Sequence, residues 1–188
     1  MAIARQRLTL EHFLQLPEEK PALEYWRGEV SQKMSPKGPH SALQGELGYR
    51  ISSVAVPHRI ARVFPEARVT FAGESVVPDL VVYRWERIPR DADGRVAMDF
   101  LTPPDIAVEI GSPGQSRRSQ IEPCRWYVAN GVALAIFADP IRELVRLFRP
   151  GTDSGDLRSS DIVDLGDIIP GFSLSVHDFF APLDADYA

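Results

Sequence analysis

Two stretches of this chain are almost continuously apolar and yet carry an acid: Val76-Val77-Pro78-Asp79-Leu80-Val81-Val82-Tyr83 and Pro104-Asp105-Ile106-Ala107-Val108-Glu109-Ile110. Runs of this length, bounded by turn residues, predict central strands covered on both faces rather than half-exposed strands with strict alternation. A third run, Val132 to Ala138, follows an Arg-bearing segment with helical character around Pro123 to Asn130, and is followed through Asp139-Pro140 by the strand-like Leu144 to Phe148. Strands that need cover on two faces point to a layered α/β domain.

The remaining elements read as follows. Residues 8–16 have the spacing of a short helix closed by Pro17, and Leu23 to Met34 breaks at Arg27-Gly28 as a hairpin would. After the turn Ser35-Pro36-Lys37-Gly38-Pro39, the residues Leu43, Leu47, Ile51 and Val54 form the stripe of an amphipathic helix that ends before Pro57. His40 falls near the middle of that stripe and Glu46 at its edge, so both could face inward. Ala61 to Phe64 and Ala67 to Phe71 are strand-like, and the tail from Gly151 offers Ile162-Val163 and the apolar Pro170-Gly171-Phe172-Ser173-Leu174. With 188 residues and 44% hydrophobic content, a single domain over 1–188 is expected, its core at about 8–150 and an acidic extension over 151–188.

One cysteine, Cys124, excludes an internal disulfide scaffold and Cys-rich metal folds. No apolar run reaches the roughly 20 residues that cross a bilayer, and Met1 to Arg5 lacks the apolar centre of a signal peptide, so a soluble, cytoplasmic protein without membrane attachment is expected. The net charge of -5 argues against broad adhesion to nucleic acid. That charge is unevenly spread: residues 1–114 carry 14 basic and 15 acidic residues, 115–150 carry 6 and 3, and 151–188 carry 1 and 8. The segment after Glu109 is therefore locally basic, and the acidic tail could shield a phosphate-facing cleft.

Burying an ionised carboxylate without a partner is costly, so Asp79 and Glu109 should each pair with a cation or bind a metal. The structural alternative is that Pro78-Asp79 starts a strand and Glu109 meets an arginine. On adjacent strands the two could share one divalent ion, and hard oxygen ligands favour magnesium (Mg2+) or manganese (Mn2+). His12, His58 and His177 have no ligand spacing and read as structural or surface residues. Cys124 reads as an inert buried thiol, and Trp26, Trp85 and Trp126 as packing residues, although a tryptophan at a cleft edge would suit a splayed nucleotide.

In order along the chain stand Leu8 to Phe13, Leu23-Glu24-Tyr25 with Gly28-Glu29-Val30, Met34-Ser35-Pro36 with His40, Val77-Pro78-Asp79-Leu80, Pro104-Asp105 with Val108-Glu109-Ile110 and Ser112-Pro113, then Tyr127, Gly131-Val132 and Asp139-Pro140. This set resembles the Uma-two family, a restriction-endonuclease-like branch of the PD-(D/E)XK nuclease superfamily. The resemblance implies a restriction-endonuclease-like core, a mixed central β-sheet flanked by helices, with an N-terminal helix and hairpin and a C-terminal β extension. It implies that Asp79 and Glu109 are metal ligands, and that His40 and an acid, Glu29 or Glu46, line the same cleft. The activity implied is metal-dependent hydrolysis of DNA phosphodiester bonds. Pairing of two such sites in a homodimer follows by fold analogy.

The chain departs from that pattern at one residue. The superfamily form places a lysine two residues beyond Glu109, where Gly111 stands, and the family commonly moves it to the next helix, where Pro123 stands. Ser119 occupies the place of a family aspartate. No lysine follows Lys37, so none downstream can compensate. Arg117, Arg118 and Arg125 are then the candidate phosphate contacts, though arginine differs from lysine in reach and geometry. Pro123 suits a first helical turn, which predicts a late helix start. The rival expectation is a catalytically silent protein of the same fold that binds nucleic acid or a protein partner.

Overall fold

The structure is a computed structural model and describes residues 8–184, 186 and 187. The reading of Met1 to Arg5 lies outside the described residues. Helix α1 (Leu10–Leu14) precedes strands β1 (Leu23–Trp26) and β2 (Glu29–Gln32), and the long helix α2 (Gly38–Ala55) follows. Both corner residues of the hairpin, Arg27 and Gly28, have positive φ (53° and 78°), the twist that a two-residue hairpin turn requires. Next come β3 (Ala61–Pro65), β4 (Val69–Phe71), β5 (Glu74–Val76), β6 (Leu80–Arg84) and β7 (Ile106–Ile110). Helix α3 (Arg117–Ala129) connects β7 to β8 (Leu134–Asp139), which turns into β9 (Leu144–Arg149).

Seven strands form the main sheet, in the order β10-β9-β8-β7-β6-β3, with β10 being Thr152–Asp153; the seventh, β11 (Leu157–Arg158), also pairs with β9. Strands β7 and β8 are parallel and the other pairs antiparallel, so the sheet is mixed. A four-stranded sheet of order β2-β1-β5-β4 lies beside it.

The run from Val76 to Tyr83 is not one strand. Its first residue closes β5 in the small sheet, its last four belong to β6 in the main sheet, and Val77-Pro78-Asp79 crosses between them. Pro78 has no N–H for a ladder, which makes it the natural place to change sheets.

Side-chain alternation sorts the layers. Leu80, Val82, Ile106, Val108, Ile110, Leu134 and Ile136 pack with Leu43, Leu47 and Ile51 of α2. Val81, Tyr83, Ala107, Ala135 and Phe137 pack with Ile121, Cys124 and Tyr127 of α3, together with Val69, Phe71 and Val76 of the small sheet. The first core continues into the tail: Val163 of β12 (Ile162–Asp164), Leu165, Ile169 and Phe172 of the connection from β12 to β13 (Ser173–Ser175), and Val176, Phe179 and Phe180 of α4 (Val176–Phe180) are buried in it.

Helix α3 starts at Arg117, earlier than its proline suggests. Ser116 accepts a hydrogen bond from the Ser119 amide at 3.1 Å and caps the helix, which leaves Pro123 inside it. Among the described residues no helix is long and apolar enough to cross a membrane.

Candidate functional site

A cleft of about 450 Å³ opens at the C-terminal end of β7, between α3, the start of α2 and the β1–β2 hairpin. Alternation along β7 decides what enters it. Ile106, Val108 and Ile110 face α2, so Glu109 faces α3, where the Tyr127 hydroxyl donates to Glu109 Oε1 at 2.6 Å. On the neighbouring strand Asp79 comes just before β6, and its amide donates to the Val108 carbonyl at 3.0 Å.

Asp79 is 2% exposed and held from three sides. The Ile110 amide donates to its Oδ2 at 2.6 Å, and His40 Nε2, from the first turn of α2, lies 3.0 Å from the same oxygen. Its Oδ1 lies 2.6 Å from the ammonium of Lys33, the residue after β2. His40 Nδ1 is buried and has no hydrogen-bond partner among the described residues.

The hairpin grips the strand crossing through side chains. Glu24, on β1, accepts the Val77 amide at 2.8 Å, and Lys33 Nζ donates to the Val77 carbonyl at 2.6 Å. A residue between two sheets has lost its ladder partners, and these two side chains supply the missing acceptor and donor.

The charges of the cleft are interdependent. Burial, and then the nearby charge of Asp79, push the Glu109 carboxyl up to about 8 against an ordinary value of 4.5, opposed by Lys33 and the Tyr127 hydrogen bond. Burial would raise Asp79 as well, but the His40 hydrogen bond and the Lys33 charge outweigh it and hold Asp79 below its ordinary value. Burial also raises Glu24, although its bond from Val77 and the charge of Lys33 lower it. Lys33 is held above its ordinary value because the charges of Asp79 and Glu109 exceed the cost of its burial. Burial drives the Cys124 thiol well up, consistent with an inert packing residue.

Asp79, Glu109 and His40 thus line one cleft, whereas Glu29 and Glu46 do not. Glu29 is exposed on β2, paired in register with Trp26 beside the hairpin turn. Glu46 is six residues along α2 from His40, or about 9 Å of rise, and instead binds Arg50 at 2.7 Å and the Tyr187 hydroxyl at 2.6 Å. The acid that enters from the hairpin is Glu24, three positions before the turn residue Arg27 and on the cleft-facing side of β1.

The three candidate arginines are also absent from the cleft lining. Arg117 pairs with Asp156 of the acidic tail, Arg125 makes a longer, exposed contact of 3.5 Å with Asp153, and Arg118 is exposed. A Cβ at position 111 would come within 2.7 Å of Gln120 Oε1 and 3.3 Å of the Phe137 ring, so a side chain there would displace the end of Gln120 and crowd the ring.

The cation of the cleft is Lys33, which lies upstream of both acids rather than downstream of Glu109 where the family pattern places a lysine. It is one of only three lysines, with Lys20 and Lys37, and follows the strand whose partner carries Glu24. Among the described residues no group of three or more His, Cys, Asp or Glu side chains is arranged to hold a metal ion. The acids that could do so are the pair Asp79 and Glu109.

The model of the Uma2 family, described as "Putative restriction endonuclease", matches residues 10–177. A crystal structure from Anabaena variabilis ATCC 29413, titled as "a putative nuclease belonging to DUF820", is similar to the chain at 38% identity with a TM-score of 0.90, covering 94% of this chain and 99% of that one. A DrdV–DNA complex determined by cryoEM aligns at 17% identity and a TM-score of 0.40, over 74% of this chain and 11% of that one, a likeness too slight to bear on this fold. No curated protein matches.

Proposed function

The chain belongs to the Uma2 family, and from that premise we propose that it is a metal-dependent endonuclease that hydrolyses DNA phosphodiester bonds at the Asp79–Glu109 cleft. The observation that carries this reading is the placing of two buried carboxylates side by side in one cleft. Asp79 stands just before β6 and Glu109 on the adjacent β7, where burial and then the charge of Asp79 drive Glu109 up to about 8. A divalent ion relieves such a conflict, and few carboxylates with water completing the shell suit Mg2+ or Mn2+.

The donor chemistry fits. Both acids present hard oxygens, Asp79 Oδ1 has no aligned hydrogen bond and only an ammonium beside it, and Glu109 is bound among the described residues through one oxygen alone. The ion would be held by Asp79 and Glu109, and when bound would polarise the phosphoryl oxygen and lower the pKa of a water molecule. The chain's own part is positional. His40 and the Ile110 amide fix the Asp79 carboxylate, and Tyr127 fixes that of Glu109. Arg118, exposed on the first turn of α3, is proposed to meet the DNA backbone.

Supercoiled plasmid incubated with Mg2+ or Mn2+ tests the reading, with Asp79→Ala and Glu109→Ala alongside. Nicking or linearisation by the wild type and none by either variant is expected; cleavage that survives both variants contradicts it. A second reading, a silent nuclease fold that binds DNA or a protein, is favoured by Gly111 and Pro123 standing where a lysine is expected and by the neutralisation of Asp79 by Lys33. DNA binding with no cleavage in either metal would select it.

A further inference from the structure

We infer that Lys33 and the divalent ion exchange at Asp79: the ammonium occupies Oδ1 until the ion binds, and once released it pairs with a phosphate oxygen of the DNA. This rests on the nuclease reading above. The ammonium stands 2.6 Å from Asp79 Oδ1 and 2.6 Å from the Val77 carbonyl oxygen, a cation already seated against a ligand of the proposed metal. Two cations cannot share one carboxylate oxygen without strong repulsion, so occupancy by one opposes the other.

The same side chain is suited to move. The Lys33 amide is fixed to the Ala22 carbonyl at 2.8 Å, so the base of the side chain stays with the hairpin. The side chain itself keeps 15% of its exposure, and its unbranched stem lets the tip reach other partners in the cleft. Among the described residues no other lysine or arginine lines the cleft. Position 111, just after β7, is glycine, position 123 inside α3 is proline, and Arg117, Arg118 and Arg125 are not among the residues that line the cleft. Among the described residues a phosphodiester entering between Asp79 and α3 thus meets one ammonium within the cleft, and that ammonium is free only when Asp79 has another cation.

Calorimetric titration with Mn2+ separates the possibilities without DNA, using the wild type, Lys33→Gln, Lys33→Arg and Lys37→Gln. Glutamine keeps a donor for the Val77 carbonyl while removing the charge. Lys33→Gln should bind Mn2+ about tenfold or more tightly than the wild type, as expected for loss of a unit charge beside a ligand oxygen, whereas Lys33→Arg and Lys37→Gln should stay near it. At saturating Mn2+ Lys33→Gln should cleave plasmid at least about tenfold more slowly, the lost interaction being a charge-assisted one to phosphate. Should the amide variant not fold, Lys33→Met carries the same expectations. Equal affinity in all four chains overturns the exchange alone. Tighter binding with undiminished cleavage overturns the contact to phosphate. Failure of every chain to bind Mn2+ overturns the nuclease reading and this inference with it.

Discussion

The antiparallel pair β6–β7 has a buried aspartate at each end, and the two are treated in opposite ways. At one end Asp105 is fully buried, accepts the Arg84 amide at 2.8 Å, and meets the guanidinium groups of Arg84 and Arg87 at 3.3 and 2.6 Å. Guanidinium does not give up its proton, so the charge of Asp105 has fixed positive partners. At the other end Asp79 meets a lysine and a histidine, with a second acid, Glu109, on the adjacent strand and a third, Glu24, within range of both. A buried acid on an apolar strand is therefore no functional signal by itself. What distinguishes the cleft end is an excess of carboxylate over fixed cation, a site that invites a further positive charge.

The largest contrast should come from removing each aspartate. Asp79→Ala is expected to lower plasmid cleavage by at least about a thousandfold, as loss of a metal ligand would. Asp105→Ala should lower stability by about 3 kcal/mol through the broken ion network, yet leave cleavage by the folded protein nearly intact below its melting transition. Denaturant titrations paired with cleavage assays check both; an Asp105 variant that is stable and inactive would break the contrast.

A smaller effect concerns Glu109. Its carboxyl is raised from 4.5 to about 8 in the fold, so the folded state favours the protonated form and ionisation opposes folding. Stability should be full below about pH 4.5 as far as this group is concerned, should decline as pH rises towards 8, and should be level above that. Glu109→Gln removes this decline and should exceed the wild type at pH 8.5 by on the order of 1 to 3 kcal/mol, measured in metal-free buffer. An unchanged pH profile would show that Glu109 is not under such pressure.

Tyr127→Phe is gentler. It removes a hydrogen bond that lowers Glu109, so ionisation of the carboxyl should shift further upward, at a cost of about 1 kcal/mol in stability. Smallest of all, Arg125→Ala should change stability by less than about 0.5 kcal/mol, since its contact with Asp153 is long and exposed.

Much of this arrangement was legible in the sequence because strand alternation is local. The apolar runs around Asp79 and Glu109 fix which neighbours face each layer, and the stripe Leu43, Leu47, Ile51 fixes the buried face of α2 with His40 upon it. The hairpin contributions were hidden for the opposite reason. Glu29, Val30, Ser31 and Gln32 are all exposed, so nothing in the pattern of β2 announces that the next residue reaches a buried aspartate. Glu24 and Lys33 are brought to Asp79 by the change of sheets at Pro78, a tertiary event that the continuous apolar run conceals. Pro123 misdirected the reading of α3 because the Ser116 cap lies outside the segment where a proline marks a helix start. In the tail Val163 and Phe172 stand in segments whose apolar character is plain in the sequence, and both are buried in the core.

The central claim is that Asp79 and Glu109 hold one divalent cation between them, and binding of a cation to a protonated acid must release its proton. Calorimetry of Mn2+ binding at pH 7, repeated in buffers of different ionisation enthalpy, measures that release. One Mn2+ per chain with close to one proton set free, and the release lost in Glu109→Gln, is the expected result. Binding without proton release, or binding unchanged in Asp79→Ala, would contradict the site.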